Sequence, residues 1–86
     1  MSTVDELKLR VAATVGQTNE ALVRLRAVGQ SLDEALNTLR FTATGSVHPA
    51  LLDAIVKLEQ ARERLTEAHT LATAAVGDAD AWRTTA

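Results

Sequence analysis

Cysteine and tyrosine are absent from this 86-residue chain, proline occurs once, and the aromatic residues are Phe41 and Trp82 alone. Without cysteine no disulfide can staple the fold, and there is no Cys/His spacing for a structural zinc. Basic excess is missing as well. Nine lysines and arginines against eleven acids give a formal net charge of −2, whereas a DNA- or RNA-binding module shows a basic patch, so nucleic acid is not an expected ligand. No segment approaches the run of roughly 20 apolar residues that a membrane span needs. The opening MSTVDELKLR carries acids where a signal peptide has a basic and then an apolar region. A soluble, cytoplasmically made protein is the expectation, although leaderless export would leave no mark at the N-terminus.

Catalytic signatures are equally scarce. No nucleophile and base stand at a usable spacing and no Gly-rich loop follows a strand, so neither an enzyme nor a cofactor is expected. His69 has Glu67 two residues before it, off the helical face that would join them as metal ligands. Glu59, Glu63 and Glu67 form a ladder interleaved with Arg62 and Arg64, which reads as a solvated face because the Glu-x-x-His of bundle metal sites is missing. Arg24, Arg26, Arg62 and Arg64 fall at one level of a folded hairpin, but the interleaved glutamates compete for them and surface ion pairs account for both. Metal binding is not expected either.

What the chain does contain is aliphatic periodicity. Its hydrophobic fraction of 47% is mostly alanine, leucine and valine. Leu51, Leu58 and Leu65 recur at heptad steps with Ala54, Ala61, Ala68 and Ala75 three residues behind, a pattern of large and small knobs that predicts close packing on another helix. The first half keeps the same period through Val4, Leu7, Val11, Val15, Thr18, Leu22, Leu25, Val28, Leu32, Leu36, Leu39 and Ala43. Thr3 and Glu6 make a capping box that starts this helix at Val4. Gly29 with a second capping box, Ser31 and Glu34, leaves open whether the helix is continuous, kinked or broken there.

The stretch Thr42 to His48 is the turn, closed by Pro49 at a first helical position with His48 as N-cap and Val47 and Leu52 as a hydrophobic staple. The fold class expected is therefore all-α: one antiparallel two-helix hairpin domain over residues 1–86, with helix 4–43, turn 44–48, helix 49–76 or on to 82, and a short tail. Gly77 is the C-cap of the shorter version. Folding back at Gly45 pairs positions whose numbers sum to about 90, because both helices rise equally per residue. Leu51 then meets Leu39, Leu58 meets Leu32, Leu65 meets Leu25 and Trp82 meets Leu7, while Ala61 lies beside Val28 and Gly29. The same register places Asp33 near Lys57, Arg26 near Glu63, Arg24 near Glu67 and His69 near Glu20.

A hairpin cannot enclose a core. Leu9, Val23, Phe41, Leu52, Val56, Leu71 and Trp82 are left outside the seam as candidate partner contacts, Trp82 either anchoring a partner or covering the open end against Leu7 and Val11. The expected partner is protein: a second copy in a dimer or higher oligomer, or another helical protein, completing a bundle. Two antiparallel helices, a central turn and an alanine-rich, polar makeup in under a hundred residues resemble the WXG100 (ESAT-6-like) family of small secreted hairpins, and the turn Gly45-Ser46-Val47-His48-Pro49 is similar to those of small actinobacterial hairpins. The first resemblance implies export by a type VII system. The family's Trp-x-Gly turn is replaced here by Thr44, Gly45 and Ser46, and its C-terminal tyrosine signal is missing. Function is expected to be non-enzymatic interaction or assembly, with a secretion-linked hairpin or a small regulatory, antitoxin-type binding protein as alternatives.

Overall fold

The computed structural model describes residues 3–45 and 48–85. They form two helices, α1 (Val4–Ala43, 40 residues) and α2 (Pro49–Thr85, 37 residues), packed antiparallel as an all-α hairpin measuring 64 × 20 × 15 Å. The long dimension follows from about 1.5 Å of rise per residue over one uninterrupted helix.

Each helix starts on a side-chain cap. Thr3 Oγ1 accepts the Glu6 amide at 3.1 Å and Glu6 Oε2 accepts the Thr3 amide at 3.3 Å, so two amides that lack helical partners are satisfied reciprocally. At α2, His48 Nδ1 accepts the Ala50 amide at 3.1 Å, and the His48 carbonyl accepts from Leu51 and Leu52 at 3.0 and 3.3 Å. Pro49 follows, where a missing amide costs nothing. The staple expected between Val47 and Leu52 involves a residue outside the described segments.

None of the three glycines inside the helices, Gly16, Gly29 and Gly77, ends one. α1 runs through Gly29, and the Ser31–Glu34 pair lies inside it without opening a second helix. α2 runs through Gly77 to Thr85, past both ends expected for it. Val76, Ala79, Asp80 and Arg83 are half-buried against α1, and this packing offsets the roughly 1 kcal/mol by which glycine disfavours a helix interior.

The seam between the helices is thin. Val15 (8% exposed) and Leu36 (3% exposed) are the buried hydrophobic side chains among the described residues, with Gly29 buried between them. α2 contributes half-buried residues only. Fully burying an aliphatic side chain is worth about 1.5–3 kcal/mol, so a seam of partly covered residues holds the hairpin with little to spare.

Candidate interaction surface

The seam of α2 is rotated by one residue from the Leu/Ala pattern. Leu51, Leu58 and Leu65 are half-buried, as are Leu25, Leu32 and Leu39 opposite, and Ala54 lies with them. Ala61, Ala68 and Ala75 are exposed. The second position of the seam falls four residues after Leu51, Leu58, Leu65, Ala72 and Ala79, on Ile55, Arg62, His69, Val76 and Arg83, all half-buried. On α1 the same rotation makes Gly29 buried and leaves Val28 48% exposed. The physical reason is area. An alanine methyl loses little by facing water, whereas arginine has a long alkyl stem that can cover apolar surface while its head stays wet.

Arg62 shows how this works. Its guanidinium occupies the space that the missing Gly29 side chain vacates: a Cβ at position 29 would stand 3.1 Å from the Arg62 guanidinium carbon. Arg62, not the expected Ala61, is therefore what the glycine accommodates. From there Nε donates to Asp33 Oδ1 at 3.0 Å and Nη1 to Thr66 Oγ1 at 2.9 Å. Asp33 is thus paired with Arg62 in place of Lys57. A second ion pair between the helices joins Arg40 and Glu59 at 3.7 Å. Arg24 forms an ion pair along its own helix with Glu20 at 4.0 Å and Arg64 pairs with Glu67 at 3.3 Å, so the expected Arg24–Glu67 contact is replaced, and Arg26–Glu63 is not an ion pair. His69 likewise does not meet Glu20; it lines a recess with Leu22, Val23, Arg26 and Thr73.

These contacts distinguish the two flanks of the seam. In an antiparallel pair, equivalent heptad positions of the two helices meet on the same side. One flank carries Arg26, Asp33 and Arg40 from α1 and Glu59, Thr66, Thr73 and Asp80 from α2, and both inter-helix ion pairs among the described residues lie on it. It also holds a shallow cleft of about 430 Å³ at the open end, lined by Lys8, Leu9, Ala12, Asp80, Arg83 and Thr84. Arg83 pairs there with Asp80.

The opposite flank has no ionisable residue along its length. α1 contributes Leu7, Thr14, Ala21, Val28, Ala35 and Thr42, and α2 contributes Ala54, Ala61, Ala68, Ala75 and Trp82. All but Ala54 are exposed. Its two threonine hydroxyls are engaged within α1, Thr14 donating to the Arg10 carbonyl at 3.0 Å and Thr42 to the Thr38 carbonyl at 2.8 Å. The flank consequently asks nothing polar of whatever covers it. The alanine heptad noticed in the sequence belongs to this surface.

Of the candidate partner contacts, Leu9, Val23 and Leu71 are each 72% exposed, Phe41 84%, Leu52 47%, Val56 51% and Trp82 39%. They do not converge on one patch. Leu9 and Val23 border the charged flank, Phe41 faces outward from α1, and only Trp82 lies on the uncharged one. Val4, Leu7 and Val28 complete the set of exposed large hydrophobic residues.

Among the described residues no group of histidine and acidic side chains is placed to hold a metal ion, and no helix is long and apolar enough to cross a membrane. No family model matches the chain, and no curated protein or solved structure shows significant similarity to it.

Proposed function

We propose that this chain is a non-enzymatic helical module whose role is to pair with protein, and that its stable state is an assembly. The observation that supports this is the imbalance of its apolar surface: two hydrophobic side chains are buried among the described residues while ten large ones are exposed. Single exposed leucines are ordinary on a globular protein, but a molecule whose seam is otherwise only half-buried is not.

The test is urea unfolding of the full chain followed by circular dichroism over a hundredfold range of protein concentration. Association stabilises by mass action, so the midpoint is expected to rise with concentration, or helicity to be poor until a partner is supplied. A fully helical micromolar monomer with a concentration-independent midpoint would reject the proposal.

A second reading is a secretion-linked hairpin of WXG100-like architecture, favoured by the two-helix hairpin itself and by the continuation of α2 past Trp82 to Thr85. It predicts that deleting residues 79–86 blocks export; unchanged export would remove it.

A further inference from the structure

We infer that the cleft at the open end of the charged flank is a binding site for a small carboxylate with an apolar body, its carboxylate held by Arg83 and Lys8. The site lies within one chain and does not depend on what the hairpin assembles with.

The hairpin contains a finished version of this site. Both helices rise equally per residue, so three heptads toward the free ends from Arg62, Gly29 and Asp33 lead to Arg83, Lys8 and Ala12, again at one level. The two arginine side chains are covered alike, 34% of Arg62 and 33% of Arg83 being exposed. At the turnward level Arg62 Nε donates to Asp33 Oδ1 at 3.0 Å. At the open end Ala12 stands where Asp33 does and offers no acceptor. Arg83 Nη2 donates to Asp80 of its own helix instead, and Arg83 Nε is closed to solvent without an acceptor. A covered donor left unpaired costs its full desolvation, and what would satisfy it is a carboxylate beside the Ala12 methyl.

Charge sets the valence of that ligand. Lys8 takes the place that Gly29 has beside Arg62, so the cleft is lined by two cations with Asp80 as the acid among its described residues. Lys8 is half-buried and forms no ion pair among the described residues. One positive charge is left over, which one carboxylate neutralises; a doubly charged phosphate would set surplus negative charge against Asp80.

Space sets its body. The cleft's volume of about 430 Å³ falls within the roughly 300–1,000 Å³ of small-molecule sites and exceeds what one aspartate side chain would fill. Leu9, Ala12 and the alkyl stems of Lys8 and Arg83 offer it apolar walls. Thr84 spends its hydroxyl on the Ala81 carbonyl at 3.0 Å, so peptide amides would find little to bond with, and an alkyl acid fits better than a peptide.

The test is titration of the isotopically labelled full chain with decanoate below its micelle concentration, followed by NMR. Saturating shifts are expected in the amides of residues 8–12 and 80–84 and in the Arg83 Nε–Hε signal, while that of Arg62, already on Asp33, stays in place. Acetate, which lacks the tail, and decyltrimethylammonium, which reverses the charge, should each bind at least about tenfold more weakly. Lys8→Met keeps the stem, removes the charge and should weaken decanoate about tenfold. Asp80→Asn removes the competitor for Arg83 and should tighten it about threefold. Ala12→Asp supplies the missing acceptor: it should move the Arg83 Nε–Hε signal without ligand and abolish decanoate binding, with helicity retained.

Decanoate binding indifferent to Lys8→Met and Asp80→Asn, or shifts spread evenly over Val23, Phe41 and Leu71, would overturn the inference by showing adsorption of the tail alone. Absence of saturation would overturn it as well; an Arg83 signal that moved only with protein concentration would then assign the carboxylate to a partner chain. Each of these results leaves the module reading standing, because that reading is tested by the concentration dependence of unfolding.

Discussion

The turn half of the hairpin and its open half are built from the same seam with different material. Near the turn, Leu32, Leu36 and Leu39 lie against Leu51, Ile55 and Leu58. Toward the free ends, Lys8, Val11, Val15 and Thr18 face Ala72, Val76, Ala79 and Arg83. The boundary falls at Gly29 and Arg62. Contacts near a turn close short loops and cost the least chain entropy, and here they are also the most apolar. The hairpin is therefore cemented at the turn and graded outward, so that its open half depends most on whatever covers it.

The largest effect should come from the turn half. Leu36→Ala removes the most deeply buried side chain and is expected to cost about 2–4 kcal/mol, read as a fall in the urea midpoint at fixed protein concentration. Val15→Ala, the corresponding change in the open half, should cost about 1.5 kcal/mol, since it removes two buried methyl groups where Leu36→Ala removes three carbons. Equal losses would mean that the halves are equally cemented. Amide exchange offers a substitution-free version of the comparison: amides of residues 30–40 and 52–60 should outlast those of residues 8–18 and 74–82, and uniform protection would erase the gradient.

How much of this was legible in the residues follows from the same contrast. The two helices, the Thr3 cap, the His48 cap and the antiparallel pairing all rest on local chemistry or on period, and both are written along the chain. The leucine line of the seam was legible for the same reason: Leu51, Leu58 and Leu65 fit no other face. The companion line was not, because alanine and arginine compete for it by different rules. By hydropathy Ala61 outranks Arg62, yet the packed structure buries the arginine stem, leaves its head on Asp33, and turns the alanines outward. The ion pairs expected at Lys57 and Glu63 shifted with that rotation. Past Gly77, sequence alone weighed a glycine against a continuing period, and packing of Val76, Ala79 and Arg83 on α1 decided in favour of helix.

Smaller effects test where glycine is needed. Nothing lies within 4 Å of a Cβ placed at Gly16 or Gly77. Gly16→Ala and Gly77→Ala should therefore each stabilise the hairpin by about 0.5–1 kcal/mol, the helix-propensity difference alone. A loss at either would mean that a partner backbone approaches that glycine in the assembly, and comparing the variants in dilute and concentrated samples would show it.

Gly29→Ala carries the same propensity gain into a site that is already filled. The new methyl would stand 3.1–3.3 Å from the Arg62 guanidinium atoms, tighter than ordinary contact. What it meets, however, is the far end of a long side chain, with 34% of that side chain exposed, so a shift of a few tenths of an ångström relieves the clash. The cost is a loosened Arg62–Asp33 bond, worth at most about 1 kcal/mol for a partly exposed pair. The two terms nearly cancel, and a net change within about 0.5 kcal/mol is expected. The diagnostic comparison is a double-mutant cycle with Asp33→Ala. If Gly29 exists to seat the guanidinium on Asp33, Gly29→Ala should stabilise more in the Asp33→Ala background, where no bond remains to be loosened. If the cycle shows no coupling, Arg62 adapts freely and the glycine at this boundary serves only the close passage of the two helices.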